Sequence, residues 1–125
     1  MLHLVAVLLA TRSSGGGGGG RTIVHTAIGD LSCEDVGERS RQCLGVPFAA
    51  PPVGELRWRP PAKPLVWQGV RDASLVAKQK ICIQGNAQPQ PGMTQEDCLY
   101  LDVYAPRSPP APGAKPYPVM MWIHG

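Results

Sequence analysis

Val119-Met120-Met121-Trp122-Ile123-His124-Gly125 is the stretch that decides the fold class. From Val119 to Ile123 the residues are apolar without a break, the pattern of a strand buried on both faces rather than one that turns a polar face to water. Such strands sit in parallel or mixed sheets covered by helices, so the run predicts an α/β architecture. At its end the apolar run gives way to His124-Gly125. A strand that breaks in this way leads into a site.

Two segments upstream sharpen the reading. Leu44-Gly45-Val46-Pro47-Phe48-Ala49-Ala50-Pro51-Pro52-Val53-Gly54-Glu55-Leu56-Arg57-Trp58-Arg59-Pro60-Pro61 resembles the GIPYA-PPVG-LRF-PP signature of the type-B carboxylesterase and cholinesterase family. Glu96-Asp97-Cys98-Leu99-Tyr100-Leu101-Asp102-Val103-Tyr104-Ala105-Pro106 resembles its second signature, EDCLYLNV. With Trp67 to Ala73 between them and the strand at Val119 after them, the resemblance runs in family order from about Thr22 to Gly125. Asp102 stands where the family has Asn, Cys43 where an aromatic is usual and Cys33 where a small residue is usual.

The resemblance implies the amino-terminal part of an α/β-hydrolase fold, a mixed, mostly parallel sheet. This portion of it would be mainly β-strand and proline-rich loop. The strands at Leu99 and Val119 resemble the second and third of eight. Residues 22–125 are then the esterase portion, and 1–21 a signal-like segment with a glycine-rich spacer.

Composition excludes some classes. The chain has 125 residues, 43% of them hydrophobic, enough for one small core. Its 14 Pro and 15 Gly leave little room for helix, and a short turn capped by Asp72 is the best helical candidate. The net charge of +3 is small and the basic residues are dispersed, so no electrostatic footprint for nucleic acid is present. Leu2 to Ala10 has the length of a signal-peptide core and is too short to span a bilayer. No Lys or Arg precedes Arg12 and no clean cleavage site follows, so the segment meets only part of the secretory pattern.

From Thr22 the chain predicts a hairpin. Ile23 to Ile28 is the first strand, Glu34 to Glu38 the turn, and Arg39 to Val46 the returning strand. Between Pro47 and Pro64 the prolines remove donors and fix extended φ, which makes a surface loop with Trp58 as its expected anchor. Leu99 to Tyr104 alternates as a sheet strand, and Ala105 to Pro118 is again proline-rich loop. His3, His25 and His124 have no metal-ligand spacing, His25 reads as an ordinary strand residue, and no cofactor is implied.

Four cysteines allow three pairings. By resemblance, Cys82 and Cys98 close the family's disulfide loop; Cys33 and Cys43 flank the hairpin turn and are left open between a bridge and buried thiols. A bridge favours an oxidising compartment, hence a secreted or secretory-pathway protein. By the same resemblance, Arg57 and Glu96 form a buried ion pair, and His124-Gly125 opens the H-G-G-G loop whose backbone N–H groups hold an oxyanion. Residues 83–97 contain no aromatic to hold a choline head by cation–π attraction, which points to a general small-molecule carboxylic ester as substrate.

Ser13, Ser14, Ser32, Ser40, Ser74 and Ser108 all lie outside any G-x-S-x-G elbow. The resemblance therefore implies an ester hydrolase acting through an acyl-serine, with nucleophile, acid and base elsewhere and this stretch inactive alone. Catalytically silent cholinesterase-like adhesion proteins carry the same amino-terminal signatures. A non-functional gene-model fragment is the third possibility.

Overall fold

The computed structural model describes residues 20–74, 80–84 and 95–123. Five strands form one sheet: β1 (Arg21–Thr26), β2 (Gly29–Val36), β3 (Ser40–Pro47), β4 (Val70–Asp72) and β5 (Tyr100–Pro106). The order is β1-β2-β3-β5, with β4 on β2. β1 and β2 are antiparallel, Val24 opposite Leu31 and Thr22 opposite Cys33. At their tip, Thr26 Oγ1 donates to Gly29 O (2.6 Å) and accepts the Ile28 N–H (3.2 Å).

The inward residues alternate as a pleated strand requires. Thr22 and Val24 from β1, Leu31, Cys33 and Asp35 from β2, and Arg41 and Cys43 from β3 are all buried. Val24, Leu31, Cys33, Cys43 and Ala73 make the apolar core, with Val46 and Trp67 packed against it. Cys33 and Cys43 are bridged, their Cα atoms 4.7 Å apart, which settles the alternative that the pattern left open. The bridge joins two positions one step beyond the Glu34–Gln42 pair, so it fastens β2 to β3 where their ladder ends.

Beyond that point β3 leaves β2, and β4 takes the vacated edge in parallel, pairing Asp30 with Val70 and Ser32 with Asp72. The Ala73 backbone spans the gap, its N–H donating to Ser32 O (2.9 Å) and its carbonyl accepting the Leu44 N–H (2.6 Å). β5 pairs antiparallel with β3 across a bulge between Cys43 and Val46. Gly45 supplies the positive φ of +64° that the bulge needs, and Asp102 Oδ1 accepts its N–H at 2.8 Å.

Several expectations are corrected here. The turn expected at Glu34 to Glu38 is a strand up to Val36, because β2 is a middle strand of three acids and a glycine whose pairing overrides its poor β-propensity. The described sheet is mainly antiparallel, with β2–β4 as its parallel pair, and the described residues are mainly strand and loop, as expected of this portion. Trp58 does not anchor the proline-rich segment; it is 94% exposed at a φ of +58°. Trp67 does that work instead, donating Nε1–H to Asp30 O at 2.9 Å. Val119 to Ile123 is neither paired nor buried, with exposures from 62% to 95%. A strand needs a neighbour to accept and donate its backbone bonds, and no described strand lies beside it. The helical turn expected after Asp72 falls on residues 75–79 and most of the signal-like segment on 1–19, outside the described residues.

Candidate functional site

Described site residues gather where the stems 80–82 and 95–100 meet. Cys82 and Cys98 are joined by a disulfide with Cα atoms 5.0 Å apart. The Gln95 N–H donates to Ile81 O at 3.0 Å beside it. Lys80 Nζ donates to Asp97 Oδ2 and, at 3.1 Å, to the Tyr100 hydroxyl, which in turn donates to Asp97 Oδ1 at 2.8 Å. Burial works against both charges. For Lys80 the hydrogen bonds to Asp97 and Tyr100 outweigh it and hold the ammonium above its ordinary pKa; for Asp97 the bonds from Lys80 and Tyr100 hold the carboxyl below its own. The Arg71 guanidinium lies 5.7 Å from the Tyr100 ring and 5.5 Å from that of Trp67, linking this corner to β4.

Arg57 reaches the same stem. Its Nη2 is 2.9 Å from Glu96 Oε1, but the two side chains are 52% and 39% exposed. The pair is therefore a solvated tie between the proline-rich segment and the stem that leads into β5, not the buried one expected. Water competes for both groups, which limits its contribution to roughly 1 kcal/mol or less.

Among the described residues, a buried ion pair lies elsewhere. Asp35 Oδ1 accepts from Arg41 Nε at 2.8 Å, and both side chains are about 5% exposed. Thr22 Oγ1 donates to Asp35 Oδ2 at 3.1 Å and accepts from Arg41 Nη2 at 2.9 Å. Arg107 Nε closes the cluster from the end of β5, 3.3 Å from Asp35 Oδ2. Sequence reading missed it. The usable signal was Asp35 and Arg41 placed evenly around Glu38, which a correct turn register would have set face to face.

None of these groups is arranged as a nucleophile with a base. Ser74 Oγ donates to Asp72 Oδ1 at 2.6 Å as part of a turn, and His25 Nδ1 lies 2.7 Å from Asp30 Oδ1 on the exposed edge of β1. Among the described residues no serine hydroxyl bonds to a histidine, and no group of three or more His, Cys, Asp or Glu could hold a metal. None of the described helices is long and apolar enough to cross a membrane. His124 and Gly125 lie outside the described residues.

Comparison with known proteins gives a consistent result. The model of the carboxylesterase family matches residues 20–125. The chain is 43% identical over 109 residues to fumonisin B1 esterase of Sphingopyxis macrogoltabida, covering 84% of this chain and 19% of that protein. It is 44% identical over 94 residues to acylcarnitine hydrolase of Mus musculus, covering 66% of this chain and 16% of that one. Among solved structures, a PNB esterase superposes with a TM-score of 0.58 at 37% identity, over 70% of this chain and 17% of that chain. The chain thus spans about a fifth or less of the length of the relatives it matches.

Proposed function

The chain belongs to the carboxylesterase family, and from that premise we propose that it forms the amino-terminal portion of a carboxylic ester hydrolase working through an acyl-serine intermediate. The observation that carries this reading is the family match continuing through Val119 to Gly125, the run expected to lead into the oxyanion loop. His124 shapes the start of that loop and Gly125 precedes the N–H groups that stabilise the tetrahedral oxyanion. The nucleophile, acid and base lie elsewhere in the hydrolase. The sheet β1 to β5 supplies a rigid edge, fastened by two disulfides.

The substrate is a small-molecule carboxylic ester. Residues 83–97 carry no aromatic face for a quaternary ammonium, which argues against choline esters. Two disulfides in so short a chain fit an oxidising compartment and the secretory pathway.

The test is direct. The 125-residue chain should neither hydrolyse a short-chain p-nitrophenyl ester above a denatured control nor become labelled by a fluorophosphonate, because none of its serines sits in a nucleophile elbow. Covalent labelling of any one of these serines would overturn the assignment of the nucleophile elsewhere. A longer protein containing this chain should be labelled at a single serine.

A further inference from the structure

The two disulfides sit in opposite surroundings. Cys33 and Cys43 are 0% and 6% exposed within the hairpin core, whereas Cys82 is exposed and Cys98 half-buried at the surface. A thiol reaches a disulfide sulfur only from solvent, and exposed bridges are the ones open to exchange. We propose that Cys82–Cys98 is a reversible thiol–disulfide site, opened by small dithiols while Cys33–Cys43 remains closed.

The exchange runs in two steps. A thiolate of the dithiol attacks Cys82 Sγ, on the more exposed partner; the S–S bond breaks and its electron pair passes to Cys98 Sγ, which takes up a proton. The second thiolate of the dithiol then displaces Cys82 Sγ, which is protonated in turn, and the reductant leaves as a cyclic disulfide. Two electrons and two protons have moved to the protein.

Reversibility comes from contacts that survive the opening. The Gln95 to Ile81 backbone bond and the Lys80 bonds to Asp97 and Tyr100 join the same two stems as the bridge does. They keep the two thiols at high effective concentration, so reclosure stays intramolecular. By linkage, the Lys80 clasp must favour the closed bridge as much as the bridge favours the clasp. Glu96 precedes Asp97 in the same stem and ties it to Arg57 of the proline-rich segment at 2.9 Å.

The 125-residue chain is incubated with increasing dithiothreitol under non-denaturing conditions, quenched with iodoacetamide and peptide-mapped. Cys82 and Cys98 should be alkylated at a reductant concentration at least about tenfold below that needed for Cys33 and Cys43, and transfer into a glutathione redox buffer should restore Cys82–Cys98. Simultaneous labelling of all four cysteines, or earlier labelling of Cys33 and Cys43, overturns the proposal. Lys80→Met should lower the dithiothreitol midpoint for Cys82–Cys98 by about tenfold or more, the worth of a charge-assisted hydrogen bond, and Lys80→Arg should restore it. A midpoint unmoved by Lys80→Met overturns the role of the clasp.

Discussion

Asp35 is 5% exposed, with Thr22, Arg41 and Arg107 around its carboxylate. Removing it strands the Arg41 guanidinium, itself 4% exposed, and an uncompensated buried charge typically costs about 3–5 kcal/mol. Arg57→Ala breaks a pair that water already reaches, and its cost should stay below about 1 kcal/mol. Urea unfolding followed by circular dichroism should therefore separate Asp35→Ala from Arg57→Ala by a wide margin; similar midpoints would contradict the burial of the first cluster. A second residue carries a sharper test. A Cβ on Gly29 would lie 2.5 Å from the Trp67 ring, at a φ of +140° that side chains rarely adopt. Gly29→Ala should push Trp67 off the Asp30 carbonyl, cost about 2 kcal/mol or more and shift tryptophan emission to the red. Trp58 and Trp122 are 94% and 89% exposed, so the shift reports Trp67 alone. Neither Asp35 nor Gly29 stood out in the sequence, because what makes each of them matter is a neighbour 6 and 38 positions away.

Among the elements, the corner that joins the Cys82 and Cys98 stems answers to pH. Asp97 has its folded pKa lowered, so its contribution is complete above about pH 4 and is lost as the pH falls through the lowered value. Lys80 has its folded pKa raised; its contribution is complete below about pH 10.4 and lost as the pH rises through the raised value. The clasp is thus expected intact across the whole interval between. A carbon NMR titration of the Asp97 carboxyl should give a midpoint below that of a free aspartate, returning toward it in Lys80→Met; a wild-type midpoint at or above the free value would refute the clasp. β1, β3 and β5 were legible because Ile23-Val24, Cys43 to Val46 and Leu99 to Val103 are β-prone or alternate. β2 and β4 were not. The acids Asp30, Glu34 and Asp35 disguise the first, and the three residues of β4 are too few to show a period.

At the scale of the molecule, apolar surface is left bare. Val119 to Ile123 is 62–95% exposed, and Leu101 and Val103 on β5 are 40% and 39% exposed. A run of five apolar residues without proline or charge favours intermolecular pairing, so the chain should associate with rising concentration. Met120→Lys with Trp122→Lys should abolish that association in static light scattering; persistence at equal strength would place the sticky surface elsewhere. The family was readable from the motifs, and the exposure of Val119 to Ile123 turns on neighbouring strands that no local pattern encodes. The pairing of β3 with β5 has a further consequence in time. Some 59 residues separate their carboxyl ends, which at translation rates of about 5–20 residues per second is a delay of roughly 3–12 s. Hairpins close in about 1–10 μs, so β1, β2 and β3 meet long before β5 has been made. Until Cys82 is made, 39 residues after Cys43, Cys33 and Cys43 are the only cysteines synthesised. Order of birth, as well as geometry, then selects one of the three possible pairings, and the second bridge forms from the only two thiols that remain.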